Sequence, residues 1–525
     1  MSHIHLAGVT VGTLDKPPIF PPLTQVISNE VVGLFGRNGC GKSSLLNAIA
    51  GRRALLTGSI TVVGSIGLMH QSAFAPDANI AEALGVKNGL QRLDRIEAGE
   101  ALEADFEEAD WDLPLRLERV MREFDLSEFP LDQSSARLSG GEQARVKLAA
   151  LVLAQPDILL LDEPTNDLDD AGRAMVADLL KRWEGPALVA SHDRTLLEDM
   201  DRIIELSPAG ALSVGGGWSA FKEQRDAVRA QAQAAFDEAK ANQRKALALE
   251  RARSDRQARR NKQGKMASAR RDDSRLEINV KKSQAERTSA RAAALGQEQV
   301  AQASENVKAA DALVERVVPI RIELPRSGLL PGHRLIEARE ISLAISGRQL
   351  FGPLDLVITG PERLAVTGPN GSGKSSLVRL LTGEAPPDHG VVEGDFSRVC
   401  VLDQHLSMLR EDESTLAAMK RHNPELDNHG AHAALAGFGF RGDWSERTVG
   451  TLSGGERVRL ALDCLFSAPL PPQLLILDEP TNHLDIYAIE LLEQALLDFD
   501  GAILCISHDS AFRDALGLTR SVDLS

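Results

Sequence analysis

The chain has 525 residues, 43% of them hydrophobic and 26% charged, a length for two to four domains and a composition that excludes a disordered chain. The formal net charge is −16, but residues 221–320 hold 22 Lys+Arg against 14 Asp+Glu and the remainder carries −24, so this is an acidic body with a basic insert. No apolar run reaches the roughly 18 residues of a membrane helix, no basic-then-apolar leader opens the chain, and four cysteines stand apart without a CxxC pair, which argues for a cytoplasmic chain and against a zinc site or a disulfide framework.

In chain order, the strand-like run Val31–Phe35 leads into GRNGCGKSSLL at Gly36–Leu46, and a helix-like run, Ser44–Ile49, follows. The GxxxxGK[ST] pattern is a phosphate cradle, whose glycines let backbone N–H groups wrap phosphates at a helix N-terminus. Gly36, Asn38, Gly39, Gly41 and Ser44 form that cradle, Lys42 bridges the β- and γ-phosphates, and Ser43 ligates Mg²⁺. Gln71 follows the strand-like stretch Ser65–His70, where a neutral amide can touch Mg²⁺ and the attacking water. LSGGE at Leu138–Glu142 offers the Ser139 hydroxyl and the close N–H groups of Gly140 and Gly141 to an anion, and taken alone it is also a helix cap with Glu142 near N3. ILLLDE reads as a buried parallel strand ending in acids. Asp162 would reach Mg²⁺ through water, and Glu163 would align a water against the γ-phosphate. His192 follows the apolar strand Ala187–Ala190, 30 residues after Asp162. A lone histidine is usually structural, and this spacing inverts that expectation. Gly215–Gly217 closes a first domain at 1–217.

The segment 218–327 is basic and predicted helical, rich in Ala, Gln, Arg, Lys and Glu. Two antiparallel helices fit it, turning near Asn261–Ser274, each of roughly 40 residues and about 60 Å; a single long helix would hold the flanking domains far apart. From Lys240 to Arg291 there are 17 Lys+Arg against 6 Asp+Glu. The excess is one-signed near the expected tip, at Arg256, Arg259, Arg260, Lys262, Lys265, Arg270 and Arg271, which suits contact with a nucleic-acid backbone. Phe221 and Phe236 are nearly the only aromatics there, so base stacking is not expected. A solvated helical pair is the bland alternative.

The domain 328–525 repeats the first. Gly368, Asn370, Gly371, Gly373, Lys374, Ser375 and Ser376 form a second cradle after Leu364–Thr367, with Lys374 and Ser375 in the roles of Lys42 and Ser43. Gln404, Ser453, Gly454, Gly455, Asp478, Glu479 and His508 repeat Gln71, Ser139, Gly140, Gly141, Asp162, Glu163 and His192. Gln71 to Gln404 is 333 residues and Ser139 to Ser453 is 314. The first copy therefore carries about 19 extra residues, placed within Gly85–Ser134, a charged stretch that reads as helical.

The order phosphate loop, Gln, LSGGE, LLLDEP, D-loop and SHD is that of an ATP-binding cassette. Two such cassettes in one chain, DEPTN[DH]LD in both, and a charged helical linker between them resemble the ABC-F family over nearly the whole length. The resemblance implies an α/β architecture of two P-loop NTPase domains of the ABC type joined by an α-helical hairpin, in a monomer whose cassettes face head to tail and close on two ATP molecules with Mg²⁺. Site one would pair Lys42 and Ser43 with Ser453 and Gly455; site two would pair Lys374 and Ser375 with Ser139 and Gly141. The resemblance further implies hydrolysis of ATP, and a linker that enters the tRNA exit site of the ribosome and approaches peptidyl-tRNA, with ribosomal RNA and tRNA as partners.

The sequence departs from the family pattern in several places. Such cassettes stack adenine on an aromatic residue upstream of the phosphate loop, and Val11–Lys16 and Ala344–Arg348 contain none. Either adenine selectivity is weaker here or an aliphatic residue such as Leu14 or Ile345 packs on the base, and the one tyrosine, Tyr487, is far away in sequence. Asp167 stands where the second copy has His483, so the two sites need not be equal. Cys40 lies inside the first loop, where a small tolerated side chain is the expectation and a redox switch the alternative. The 19-residue surplus is small for the arm many relatives carry. Two other functions compete. A transporter motor with a separate membrane partner has no clear use for the basic hairpin. A DNA-maintenance ATPase would need either zinc cysteines or a coiled coil interrupting one cassette.

Overall fold

The structure is a computed structural model that describes residues 2–12, 18–70, 74–75, 77–207, 210–268, 294–311, 324–345, 348–440, 442–482 and 484–524. The chain divides into two compact units, Met1–Ala220 with Ile320–Ser525, and Phe221–Pro319. Both expected cassettes thus fall in one unit.

Each cassette is built on a parallel sheet whose strands are continuous apolar runs, as burial on both faces requires. In the first, β3 (Val31–Gly36), β6 (Ile158–Asp162) and β7 (Ala187–Ala190) are buried along their whole length. With β5 (Ile66–Met69), β8 (Arg202–Ser207) and β9 (Gly210–Gly215) they form a six-stranded sheet of order β5-β6-β7-β3-β8-β9, in which only β9 runs antiparallel. A three-stranded antiparallel sheet, β2-β1-β4, of β1 (His3–Thr10), β2 (Leu23–Ser28) and β4 (Thr57–Val63), closes the same core, in which Ile4, Leu6 and Ile27 meet Leu34, Leu45 and Leu160. The second cassette repeats the plan. Its antiparallel sheet is β11-β10-β13, from β10 (Arg334–Ile345), β11 (Arg348–Thr359) and β13 (His389–Gly394). Its parallel sheet is β14-β15-β16-β12-β17, from β12 (Arg363–Thr367), β14 (Val399–Asp403), β15 (Leu474–Asp478), β16 (Ala502–Ile506) and β17 (Arg520–Asp523). Parallel register brings the carboxyl ends together: Asp162 pairs with Ala190, and Asp403 and Ile506 flank Asp478. Ligands of open α/β sheets bind along such an edge.

The surplus of the first cassette is helical. The isolated bridges Asn79–Ser134 and Ser414–Thr448 mark equivalent points in the two copies. Between them the first copy has the α-helices Ile80–Ala83, Lys87–Glu97, Glu103–Glu107 and Leu113–Glu123, and the second has Thr415–His422 and Asn428–Gly437.

The second unit is a helix pair. One helix, Trp218–Ser268, enters it from the first unit and is unbroken for 51 residues, about 76 Å at 1.5 Å per residue. Residues 294–311 form the other. Gln243 donates to Ser304 at 3.0 Å and Arg253 to Gln299 at 3.3 Å, so the two run antiparallel. The expected length of roughly 40 residues needs correction, because the helix passes through Asn261–Ser268; the rest of the expected turn, 269–274, lies outside the described residues. Gly264, the one breaker there, costs about 1 kcal/mol in a helix interior, too little to end a run of Ala, Arg, Lys and Gln.

Candidate nucleotide-binding sites

The first phosphate loop is the turn between β3 and the helix Lys42–Ile49. Gly41 caps that helix in the left-handed region (φ 98°), and a Cβ there would also press on Phe20 at 3.1 Å. Lys42 is buried and folds back on the loop, donating to the Gly36 carbonyl at 2.8 Å. Its Nζ also lies 2.9 Å from His192 Nε2. Burial and the Lys42 charge hold the His192 pKa well below its usual value. The ring is therefore neutral, accepts from Lys42 through Nε2, and carries its proton on Nδ1, which is buried with no hydrogen-bond partner. Glu163 Oε1 stands 3.2 Å from the same Nε2, and Glu163 Oε2 accepts from the His192 N–H. Burial pushes the Glu163 carboxyl up to about 8, against the opposing pull of Lys42, which suits a group that takes a proton near neutral pH. Burial also raises Asp162, with the Ser43 hydroxyl and Lys42 opposing.

The second copy has the same parts. Lys374 donates to the carbonyls of Gly368 at 2.8 Å and Pro369 at 3.0 Å. Burial raises Asp478, with the Ser375 hydroxyl opposing. Glu163 and Glu479 both have left-handed backbones (φ 50° and 48°). That conformation costs a non-glycine residue about 1–3 kcal/mol and clusters at working sites. Gln404 sits just past the end of β14, and Gln71 lies outside the described residues.

The two cassettes face each other head to tail. The Asn38 N–H donates to Asp485 at 3.0 Å; the Asn370 N–H donates to Asp169 at 3.4 Å, and the Asn370 amide to the Asp167 carbonyl at 3.0 Å. Asp169 and Asp485 also cap their own helices through the N–H groups of Gly172 and Ala488. Each D-loop aspartate thus joins its own helix to the other cassette's phosphate loop. Gly141 sits so close that a Cβ would lie 2.9 Å from the Asp167 carbonyl and 3.3 Å from the Asn370 amide. A cavity of about 490 Å³ is lined by Ser139, Gly141, Glu142 and Arg145 of one cassette and Gln349, Leu350 and Pro369–Ser372 of the other. At the first loop a cavity of about 450 Å³ is lined by Asn38, Gly39, Gly41–Ser44, Glu163 and His192, and from the second cassette by Thr481, Asn482, Leu484, Ile489 and Asp509. Ser453 and Gly455 do not line it; between them, a Cβ added at Gly454 would be 3.9 Å from the Asn38 side-chain amide. Ser139 caps its own helix, its hydroxyl accepting from the Glu142 N–H at 3.3 Å.

The donor set fits MgATP. Asp162 Oδ1, Asp478 Oδ1, Glu479 Oε1, His508 Nε2 and Ser372 Oγ are buried without a hydrogen-bond partner. Such atoms call for a ligand, an ion or water, and carboxylate and hydroxyl oxygens with phosphate suit Mg²⁺. No group of three or more His, Cys, Asp or Glu side chains among the described residues forms a protein-only metal site.

Several interface residues had no warning in the motifs. Tyr487 stacks on Phe35 (5.4 Å, 28°) below the first phosphate loop and holds the Arg37 guanidinium 5.2 Å from its ring. Arg194 donates to Glu493 and Asp509 across the interface. A position-by-position comparison of the two copies would have flagged Tyr487, Arg194 and Glu493, which stand opposite Ala171, Ser510 and Ala177. Leu14 and His483 lie outside the described residues. Arg256, Arg259, Arg260, Lys262 and Lys265 lie on the long helix, with Arg256 and Arg259 exposed, and Arg270 and Arg271 lie outside the described residues.

Fold and sites together define a tandem ATP-binding cassette protein. The chain matches the ABC transporter family twice, over residues 24–166 and 351–482. It is 30% identical over 549 residues to the tylosin resistance ATP-binding protein TlrC of Streptomyces fradiae, covering 98% of this chain and 95% of that one. It is 30% identical over 539 residues to the energy-dependent translational throttle protein EttA of Escherichia coli K12 (95% and 89%), and 30% over 504 residues to the probable ATP-binding protein YheS of the same strain (91% and 72%). The chain belongs to the ABC-F family of tandem cassette proteins. In fold it resembles the RNase-L inhibitor (TM-score 0.54, 19% identity) and the archaeal ribosome recycling factor aABCE1 solved with stalk protein aP1 (0.56, 20%), each covering 97% of this chain and 86% of the other. Among the described residues no helix is long and apolar enough to cross a membrane.

Proposed function

We propose that the chain is a cytoplasmic, monomeric ATPase that acts on the ribosome. It binds two MgATP molecules between its cassettes, hydrolyses them to ADP and phosphate, and presents its basic helical segment to ribosomal RNA and tRNA. The observation that carries the reading is the reciprocal seating of each phosphate loop on the other cassette's D-loop, Asn38 on Asp485 and Asn370 on Asp169. In this reading Lys42 and Lys374 hold the β- and γ-phosphates. Ser43 with Asp162, and Ser375 with Asp478, hold Mg²⁺, aided by Gln71 and Gln404. Mg²⁺ when bound neutralises developing phosphate charge. Glu163 and Glu479 take the proton of the attacking water, beside His192 and His508. The LSGGE residues Ser139–Gly141 and Ser453–Gly455 reach the nucleotide from the opposite cassette. Two relatives carry names that speak of translation and of resistance to tylosin. The net charge of +8 over residues 221–320, on an otherwise acidic chain, suits a phosphate backbone.

The test combines Glu163→Gln with Glu479→Gln. Hydrolysis should fall about 10²–10⁴-fold, and with ATP the protein should sediment with ribosomes through sucrose. Neutralising Arg259, Arg260, Lys262 and Lys265 in that background should release it at lower salt, each lost phosphate contact flattening the log–log salt slope by about 0.7–0.9. Recovery with membranes instead would sink the ribosomal reading and favour a transporter motor.

A further inference from the structure

The switch histidines of the two cassettes are 316 residues apart, and so are their D-loop aspartates Asp169 and Asp485, yet the two rings are held differently. His192 Nδ1 is buried with no hydrogen-bond partner. His508 Nδ1 lies 3.1 Å from Asp170 Oδ1, a carboxylate of the other cassette. Arg513, one turn further along the helix that follows His508, reaches the same carboxylate at 3.5 Å. The positions equivalent to Asp170 and Arg513 are Ile486 and Leu197, both fully buried. The carboxylate and its arginine are therefore replaced together by apolar side chains on the other side. The Asp170 side chain is 59% exposed, so no packing requirement dictates an acid there. Its polar partners are His508 and Arg513, which hold its carboxyl below the ordinary range.

We infer that Asp170 is a positioning residue acting across the interface: it orients His508 at the site built on the second phosphate loop, and the site built on the first loop works without such a group. A carboxylate accepting from Nδ1–H fixes ring rotation and turns Nε2 to the reacting side. There Nε2 stands 3.5 Å from Glu479 Oε1. Because Asp170 leaves with the first cassette's D-loop, His508 is held only while the cassettes are closed, which makes site two conditional on closure in a way that site one is not. The inference rests on the ATPase reading of these sites.

The test isolates each site. With the enzyme in excess over γ-labelled MgATP, the first turnover of Glu163→Gln reports site two and that of Glu479→Gln reports site one. Asp170→Ile should slow the first turnover of site two about 10–100-fold, the usual effect of losing a carboxylate that orients a working histidine. The enzyme concentration giving half the maximal rate should move less than about twofold. Asp170→Asn, which keeps an acceptor for Nδ1–H, should restore most of the rate. The loss at site two should exceed any loss at site one at least tenfold. Independently, ¹⁵N-histidine spectra of the full chain should show the His508 ring signals, assigned by their absence in His508→Gln, shifted by Asp170→Ile and near the parent position in Asp170→Asn. Equal loss at both sites, no loss at either, or unmoved His508 signals would overturn the inference. Should the parent chain hydrolyse no ATP at either site, the ATPase reading fails, and the ring signals decide the Asp170–His508 contact alone.

Discussion

The two phosphate loops are near copies, and the surfaces that meet around them are not. At the first, Lys42 touches its own cassette's histidine, and Glu163 is buried deeply enough to rise to about 8. At the second, Lys374 keeps the same two loop-carbonyl contacts that Lys42 makes, and the histidine is held by the opposite cassette. Side chains that bind phosphate are constrained in both copies by one ligand. Side chains that bind the other cassette are constrained only by each other, so duplicated halves can diverge there while the cradles stay alike. The contact beside the switch histidines shows it directly. Thr195 and Ser510 meet hydroxyl to hydroxyl at 3.1 Å, and Arg194, the residue equivalent to Ser510, reaches into a carboxylate pair, Glu493 and Asp509, for which the other side offers Ala177 and Asp193.

The largest way to break that asymmetry is Arg194→Met. Arg194, Glu493 and Asp509 are all nine-tenths buried or more. Burial raises the Glu493 carboxyl, and Arg194 opposes it. Removing the cation leaves two like charges in a dry interface, and breaking a buried pair from one side costs about 3–5 kcal/mol. Urea unfolding should show a loss of that size at pH 7, reduced when Glu493→Gln is added. A change under about 1 kcal/mol would mean that water reaches the cluster and that the interface is looser than these contacts describe.

A second difference lies in the helices that follow the signature motifs. Asp463 is fully buried on Gly454–Phe466, at the place where the first copy has Ala149. Burial pushes its carboxyl up to about 7 from 3.8, the Ser467 hydroxyl opposing. Between those two values the folded chain keeps a proton that the unfolded chain releases, so stability from this group falls as pH rises through that window and is level above it. The span amounts to about 4 kcal/mol at most. Asp463→Asn cannot titrate, and its carbonyl still accepts from Ser467. Relative to the parent it should gain stability steadily from pH 4 to 7 in paired urea titrations. A gap independent of pH would place Asp463 in contact with water and remove this difference between the copies.

The motifs were legible in the sequence because a phosphate cradle needs glycine backbone, a lysine and a hydroxyl at fixed spacing, and because parallel strands buried on both faces leave uninterrupted runs such as Ile158–Asp162. The position of the 19-residue surplus was legible from the unequal offsets. The full length of the long helix was not legible, because one glycine, Gly264, costs too little to end a run of strong helix formers. Arg194, Glu493, Asp170 and Tyr487 were not legible as functional, since each makes its contact with residues some 280–450 positions away. Periodicity and local spacing carry nothing over such distances. Their mark in the sequence is a mismatch between the copies.

Tyr487 gives the smallest and most selective test of that mismatch. Its ring stacks on Phe35 and lies beside the Arg37 guanidinium, while its hydroxyl donates to Glu205, a buried carboxylate on β8. The equivalent positions, Ala171 and, by strand register, Asp523, keep an acid but provide no ring. Tyr487→Phe keeps the stack and removes the donor alone, so it reads the hydrogen bond without the packing. A bond to a charged acceptor contributes about 1.5–3 kcal/mol. Glu205 keeps other polar neighbours, which puts the expected loss near the low end, about 1–2 kcal/mol, or a few degrees in thermal midpoint for a domain of this size. Tyr487→Ala should cost more, because the Phe35 face is then uncovered as well. If Tyr487→Phe and Tyr487→Ala were equally damaging, the hydroxyl rather than the ring would account for the contact. If Tyr487→Phe were silent, Glu205 would be satisfied within its own cassette, and the first phosphate loop would be braced from the second cassette by packing alone.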